Sequence, residues 1–272
     1  MKGSLILLFH SLKRVRALVI SMGLLLGVFQ VFLIIVARSV QRSGTFEQMS
    51  ALIPPFMREM LGSSLISLMS FNGIVCLGYF HLAVMGSLIS LSIGLATIPT
   101  SEIETGFMDL ILSRPLARHW VITRSIIVLT ICTVALLAMM MTGTWAGLNA
   151  LAPKDIAWPA PYLILSLAIN LGLLMMCWGG IAMAIGSVSR RRSVAGALTG
   201  LLALSMFLLD YVAGAWQPAE SVAWLSPFRY YNPLELLMDN TLQTSKLLVL
   251  AAVAVAGFGL AYIFFSRRDI SH

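Results

Sequence analysis

Six long apolar runs constrain the fold of this chain more than any other feature of its sequence. About 20 apolar residues in an α-helix are needed to cross the hydrocarbon core of a bilayer. Backbone polar groups in lipid must be satisfied within the segment itself, so each run is predicted to be a helix. We therefore predict an all-α integral membrane protein with one transmembrane domain over residues 1–272. The six predicted transmembrane helices are approximately 17–37, 74–98, 125–148, 162–188, 194–215 and 247–265.

The composition agrees with a membrane protein and argues against a soluble one. Hydrophobic residues make up 59% of the chain and charged residues only 11%, whereas soluble domains carry roughly 25% charged residues. The net charge of +7 comes from short clusters beside the apolar runs, so no nucleic-acid partner is expected. The 3 cysteines lie inside apolar runs and, like the 16 methionines, are interpreted as packing residues rather than metal ligands.

The loops differ in positive charge, and this difference predicts the orientation. The N-terminus, the second loop, the fourth loop and the C-terminal tail hold 12 lysines and arginines, and the other loops hold 6. An excess of this kind in short loops marks the cytoplasmic side. Both termini are therefore predicted to be cytoplasmic, in a cell membrane such as a bacterial inner or plasma membrane.

The cytoplasmic loop over residues 99–124 is the most informative segment. Ser101 and Glu104 form a capping box, which predicts the start of a helix, and Pro115 is expected to end that helix after Arg114. The spacing gives this helix one apolar and one polar face. It is compatible with two positions, in the headgroup layer or in a groove of a soluble partner. The apolar face consists of Ile103, Phe107, Leu110 and Ile111, and the polar face of Glu102, Asp109 and Ser113.

The same loop resembles the second-loop motif of type-2 ATP-binding cassette permeases. That motif has an acidic pair, a glycine, an apolar segment, and then proline and arginine before a spanning helix. Two positions depart from it: Phe107 stands where threonine is common, and Arg124 where lysine is common. The matching residues are Glu102, Glu104, Gly106, Leu110, Leu112, Pro115 and Arg118.

Other segments extend the resemblance along the chain. A basic amphipathic segment, expected to be an N-terminal helix, precedes the first span. The loop Ser187–Ser193 is similar to the family's second cytoplasmic contact. The final outer loop and the tail also resemble the family's, through Ser226-Pro227-Phe228, Asn232-Pro233 and Arg267-Arg268-Asp269.

The resemblance implies the permease subunit of an ATP-driven exporter, with a second permease copy as homodimer or related heterodimer and a separate ATPase. Ser101–Arg114 is then the coupling helix, between helices two and three. ATP and Mg²⁺ belong to the ATPase, because this sequence has no GxxxxGK[ST] phosphate loop. We expect no catalytic site and no cofactor in this chain, which contacts membrane lipids. The residues implied to couple are Glu102, Ile103, Glu104, Gly106, Phe107, Leu110, Ile111, Arg114, Pro115 and Arg118, with a second contact at Arg190, Arg191 and Arg192.

Few polar residues lie within the predicted spans, and two of them are candidates for a transport pathway. His81 and Asn170 are named because polar and ionisable groups at bilayer depth are functional candidates by default. For His81 the alternative is a packed, hydrogen-bonded imidazole. Asp210 is close enough to the outer end of its span to reach the interface.

Small residues predict where helices approach closely. The GxxxG spacing lets two helix backbones come together in a membrane. Such an approach serves packing within the subunit or a seam between two subunits. The three pairs inside the spans are Gly23/Gly27, Gly143/Gly147 and Gly196/Gly200.

Two other function classes remain open. A secondary carrier or channel without an ATPase is disfavoured by the scarcity of charges in the spans and by the lack of a clear internal repeat. An intramembrane enzyme needs paired catalytic groups such as HExxH or GxSxG, and none of the four histidines lies in such a motif.

Overall fold

A computed structural model describes residues 2–43, 68, 70–107, 119–239 and 243–267 of the chain. These residues form α-helices and two short 3₁₀ helices, Ala223–Leu225 and Pro227–Tyr230, and they contain no strand. In chain order the α-helices are α1 (Lys2–Arg42), α2 (Phe71–Phe80), α3 (Leu82–Ala96), α4 (Ile98–Glu104), α5 (His119–Leu151), α6 (Pro161–Val188), α7 (Arg192–Ala213), α8 (Gln217–Glu220), α9 (Pro233–Asp239) and α10 (Thr244–Arg267).

The prediction of six membrane spans is confirmed. The spans are α1, the pair α2 and α3, α5, α6, α7 and α10, each long and apolar enough to cross a bilayer. The predicted N-terminal amphipathic segment is not a separate helix, since α1 is continuous over 41 residues. At 1.5 Å per residue α1 is about 60 Å long, twice the hydrocarbon thickness of about 30 Å, so it extends well beyond the membrane.

Glycines set the closest helix contacts. Gly27 of α1 lies against Gly143 of α5, where a Cβ on Gly143 would approach the Gly27 Cα to 2.6 Å. Gly257 of α10 lies equally close to the Gly180 backbone of α6. The pairs Gly23/Gly27 and Gly143/Gly147 therefore pack within the subunit, with α6 the most buried of the spans.

The second span is broken at His81, whose extended backbone (φ −61°, ψ 129°) ends α2 and begins α3. The Ala83 N–H, which would bond the Tyr79 carbonyl in a continuous helix, donates instead to His81 Nδ1 at 3.3 Å. The free Tyr79 carbonyl accepts a hydrogen bond of 2.7 Å from the Tyr231 hydroxyl. Tyr231, a residue of the loop after α7, thereby supplies the hydrogen bond that the Tyr79 carbonyl loses at the break.

That loop is folded onto the spans. The hydroxyl of Ser226, which is fully buried, donates to the Met206 carbonyl at 2.8 Å and accepts from the Phe228 N–H. Phe228 packs against Trp178 and Phe207. The same loop continues into the short helix α9, which begins at Pro233 and is described as far as Asp239.

Contacts between the helices place several helix ends together at one end of the bundle, which we call the basic end. It consists of α4, the starts of α1, α5 and α7, and the ends of α3, α6 and α10. Thr123 near the start of α5 hydrogen-bonds Tyr262 near the end of α10 at 2.6 Å. The start of α1 and α4 line one cavity. The other end of the bundle, with the loop after α7 and α9, is called the opposite end.

Candidate functional site

The short helix α4 joins the second and third spans at the basic end, and its bounds differ from the predicted ones. It begins at Ile98 with Pro99 in its first turn, where proline's missing N–H is not needed. Ser101 therefore lies inside the helix and does not cap it. Gly106 has a φ of +70°, in the left-handed region that ends helices. The predicted coupling helix is thus wrong in its start and in its continuity, because α4 ends at Glu104.

Glu102 of α4 forms an ion pair with Arg124 in the first turns of α5. The guanidinium Nη2 donates to the carboxylate Oε2, and the two side chains are only 5% and 3% exposed. Removing one partner of such a pair leaves an uncompensated buried charge, so the pair fixes α4 to the third span. The periodicity places Glu102 on the polar face of its helix, and in the structure this side chain is buried against Arg124, which belongs to another helix and is not part of that periodicity.

Glu104, at the last turn of α4, is bonded to the start of the fifth span. Its Oε2 accepts a hydrogen bond of 2.9 Å from the Arg192 backbone N–H. The first N–H groups of a helix have no partner within the helix, and a carboxylate there also interacts favourably with the helix dipole. Glu104 therefore caps α7 from outside that helix.

Two further contacts complete the attachment of α4 and its neighbours. The Thr100 hydroxyl donates to the Gly186 carbonyl near the end of α6 at 2.9 Å. The Arg192 guanidinium donates from Nη2 to the Gly94 carbonyl at 2.9 Å and from Nε to Thr97 Oγ1 at 3.5 Å. A cation at the carbonyl end of a helix is favourable, so Arg192 secures the end of α3 to the start of α7.

Of the residues expected to contact an ATPase, some face into the chain. Glu102 and Ile103 are buried within the chain, and Ile103 belongs to the hydrophobic core. Glu104, Gly106, Phe107, Arg190 and Arg191 are exposed, and Arg192 is half-buried. The remaining expected contacts, Leu110, Ile111, Arg114, Pro115 and Arg118, lie outside the described residues.

A cavity of about 540 Å³ lies beside α4 at the basic end. One wall is the start of α1, including His10 and Arg14, and the other is α4 with Phe107 and the Glu102–Arg124 pair. Phe107, 40% exposed, therefore stands at the mouth of a recess that the first helix and the loop after α4 form together.

The two candidate pathway residues lie away from the basic end. His81 caps α3 at the break in the second span and packs edge-on against Phe29. The buried Asn170 lies near the opposite end, beside α9 and Lys246, and its Oδ1 has no hydrogen-bond partner in the described part of the chain. For His81, the structure gives a capping role that the sequence pattern does not distinguish from a pathway role.

Sequence reasoning missed Thr97 and Thr100 as parts of this cluster. It named Arg124 only as a position of the second-loop motif, one residue before an apolar run that otherwise contains no charge, and did not pair it with Glu102. Thr97 and Thr100 carry no signal of their own, because their partners lie on distant helices.

A comparison with models of known protein families finds a match that covers nearly all of the helical bundle. The family model for the ABC-2 family transporter protein matches residues 11–270 of the chain, from the first span to beyond the sixth. No curated protein sequence matches the chain. The chain therefore belongs to the ABC-2 transporter family, as a multi-pass membrane permease of the ABC type.

Proposed function

We propose that this chain is the permease subunit of an ATP-driven exporter, and that a separate ATP-binding cassette ATPase docks at its basic end. The family normally works with an ATPase subunit, and this sequence contains no phosphate-binding loop of its own. ATP and Mg²⁺ are bound by that partner. The excess of lysine and arginine at the basic end supports a cytoplasmic position for it and for both termini.

The attachment of α4 carries this proposal. Its seven residues are bonded to three spans, through Glu102 to α5, Thr100 to α6 and Glu104 to α7. A displacement of α4 by a moving partner is transmitted to all three, since none of these contacts is through a flexible linker. Such a rigid-body shift is a common form of coupling between domains.

The exposed residues beside α4 form the proposed docking surface. Phe107 offers an aromatic side chain next to the 540 Å³ cavity, and apolar anchors in pockets typically dominate interface energies. Arg190 and Arg191 are exposed at the same end, on the loop that Glu104 joins to α4. We assign Phe107 as the anchor and the two arginines as the second contact.

A second copy of the chain is proposed to pack along α7 and complete the pathway. The span α7 is the least buried of the six, and a Cβ added to Gly196 or Gly200 meets nothing within 4 Å. An apolar cavity of about 330 Å³ lies between α3 and α7, lined by Ser90, Phe207 and Phe228 among others. Two copies facing each other along α7 would enclose two such cavities.

Co-purification tests the proposal. The permease is expressed in its source cells and isolated in mild detergent together with any bound ATP-binding cassette ATPase, as wild type, Phe107→Asp and Phe107→Leu. Wild type and Phe107→Leu are expected to retain the ATPase, and Phe107→Asp to lose it while remaining membrane-inserted, because a charge on the anchor opposes burial. Normal assembly of the Phe107→Asp complex would contradict the docking surface, and the absence of any ATPase from wild type would contradict the function.

A further inference from the structure

A second, larger groove lies between α1 and α3, on the basic-end half of the spans. Its volume is about 620 Å³, within the range of small-molecule sites. Leu18 and Leu25 expose half or more of their surface there, so the groove is open on the side of the bundle that faces lipid. Its apolar walls include Leu18, Met22, Leu25, Leu91 and Leu95.

The length of the groove matches one leaflet. It follows α1 from Val15 to Leu25, which at 1.5 Å per residue is about 15 Å. The hydrocarbon core is about 30 Å thick, so the groove accommodates an acyl chain from the leaflet at the basic end.

A cation closes the basic end of the groove. Arg192 lines it, and the guanidinium uses Nη2 for the Gly94 carbonyl and Nε for Thr97. The guanidinium has five N–H donors, so others remain for an anion, and arginine is well suited to phosphate and carboxylate. None of the described residues that line the groove is acidic, and the Glu104 carboxylate next to Arg192 bonds its backbone N–H.

The groove adjoins the cavity between α3 and α7. Ser90 lines both spaces, and Gly86 and Gly94, one turn to either side of it, have open space where a Cβ would stand. On this face of α3, only small side chains therefore separate the groove from the cavity assigned above to the pathway.

We infer that the groove between α1 and α3 binds an amphipathic molecule with an anionic head and an apolar chain, drawn sideways from the leaflet at the basic end. Arg192 holds the head, and the leucines of α1 and α3 hold the chain. The assignment of such amphiphiles as the exported cargo rests on the proposed function. The binding site itself is argued from the groove alone.

Photolabelling of the permease alone tests the site. The protein in nanodiscs is irradiated with phosphatidylglycerol that carries a photoactivatable group in its acyl chain, and in parallel with diacylglycerol of the same chain, which lacks the phosphate. Phosphatidylglycerol is expected to label the peptides around Met22 and Leu91 about tenfold more, since only its phosphate can accept a charge-assisted hydrogen bond from Arg192, which contributes about 1.5–3 kcal/mol. Equal labelling by the two lipids would overturn the inference.

Two tryptophan variants separate groove filling from folding. Gly94→Trp fills the groove and is expected to abolish the labelling. The matched control is Gly259→Trp on α10, where a Cβ also meets nothing within 4 Å but which lines neither the groove nor the cavity, and labelling should persist. Labelling that survives Gly94→Trp would contradict the site. A disulfide between two copies in Ser21→Cys or Ser87→Cys would also contradict it, because it would show that a second copy fills the groove.

The cargo assignment has its own readout. In the permease–ATPase complex, phosphatidylglycerol is expected to stimulate ATP hydrolysis, and Gly94→Trp to remove that stimulation while retaining the ATPase. Unchanged stimulation in Gly94→Trp would overturn the role as cargo site. Loss of the ATPase from wild type would instead count against the proposed function and leave the labelling result standing.

Discussion

The carboxylate of Glu104 accepts a 2.9 Å hydrogen bond from the backbone N–H of Arg192 and so caps α7 from another helix. Arg191, at the N-cap position of α7, supplies no side-chain cap. The fifth span therefore begins on a contact with α4, the short helix before the proposed docking surface. Any movement of α4 must either carry the start of α7 with it or break this cap.

Replacement of Glu104 tests the importance of this cap. Glu104→Ala is expected to lower stability by about 1 kcal/mol, the usual cost of losing an N-cap side chain, whereas Glu104→Gln retains an acceptor and should lose less. Thermal unfolding of the purified permease measures both. Glu220→Ala is the control, because its pair with Arg229 at the opposite end is largely exposed and such pairs contribute little. Equal shifts in Glu104→Ala and Glu220→Ala would contradict the cap.

The Glu102–Arg124 pair is expected to behave as a buried unit in a double-mutant cycle. Arg124→Met leaves the Glu102 carboxylate buried without its partner, a loss of about 3–5 kcal/mol. Adding Glu102→Gln removes that charge, so the double variant should be more stable than the sum of the single losses indicates. Denaturation of all four proteins gives the coupling energy.

The pair between Lys246 and Glu235 is the matched comparison for that cycle. Its side chains are 26% and 40% exposed, so its coupling energy should fall in the range of about 0–1 kcal/mol. A coupling energy of the same size for both pairs would show that burial does not strengthen the Glu102–Arg124 contact.

Tyr231→Phe is expected to lower the stability of the protein at the break in the second span. It removes the hydroxyl that satisfies the buried Tyr79 carbonyl, at a cost of about 1–3 kcal/mol for an unpaired buried group. Tyr230→Phe is the control on the neighbouring residue, because its hydroxyl bonds the Trp224 carbonyl where water can replace it. Similar melting temperatures for the two variants would argue against a structural role of Tyr231 at the break.

Tyr231 also predicts a dependence on alkaline pH. Burial raises the pKa of its hydroxyl above the ordinary value of about 10. The folded protein therefore holds this proton more tightly than the unfolded chain, and the resulting stability is present below about pH 10 and lost as pH rises towards the folded pKa. Wild type should lose melting temperature more steeply above about pH 10 than Tyr231→Phe, which cannot ionise. Parallel curves would contradict this.

The spans could be predicted and the contacts at the basic end could not, for one physical reason. Length and apolarity are local, so α6, predicted at 162–188, is observed as Pro161–Val188. The contacts that hold α4 join residues 22 to 88 positions apart, from Glu102–Arg124 to Glu104–Arg192. Helical periodicity assigns faces to an isolated helix, and it places Glu102 on the polar face without showing that Arg124 of another helix covers its carboxylate.

The break at His81 illustrates the same limit within a span. Neither proline nor glycine stands at position 81, so no residue that usually interrupts helices marks it. The interruption is possible because His81 Nδ1 accepts from the Ala83 N–H and Tyr231, 152 positions away, satisfies the Tyr79 carbonyl. The sequence showed a polar residue at bilayer depth, and only the fold shows that this residue caps a helix.

Two glycines on α10, two positions apart, are expected to respond oppositely to alanine. At Gly257 a Cβ would come within 2.5 Å of the Gly180 backbone, whereas at Gly259 it meets nothing within 4 Å. Gly257→Ala should separate α10 from α6 and cost about 1–3 kcal/mol, as overpacking does. Gly259→Ala should be neutral or stabilising by up to about 1 kcal/mol, because alanine favours the helix. Melting temperatures of the two purified variants measure the difference, and a loss of stability in Gly259→Ala equal to that in Gly257→Ala would show that the backbone contact with Gly180 does not set the packing of the fourth and sixth spans.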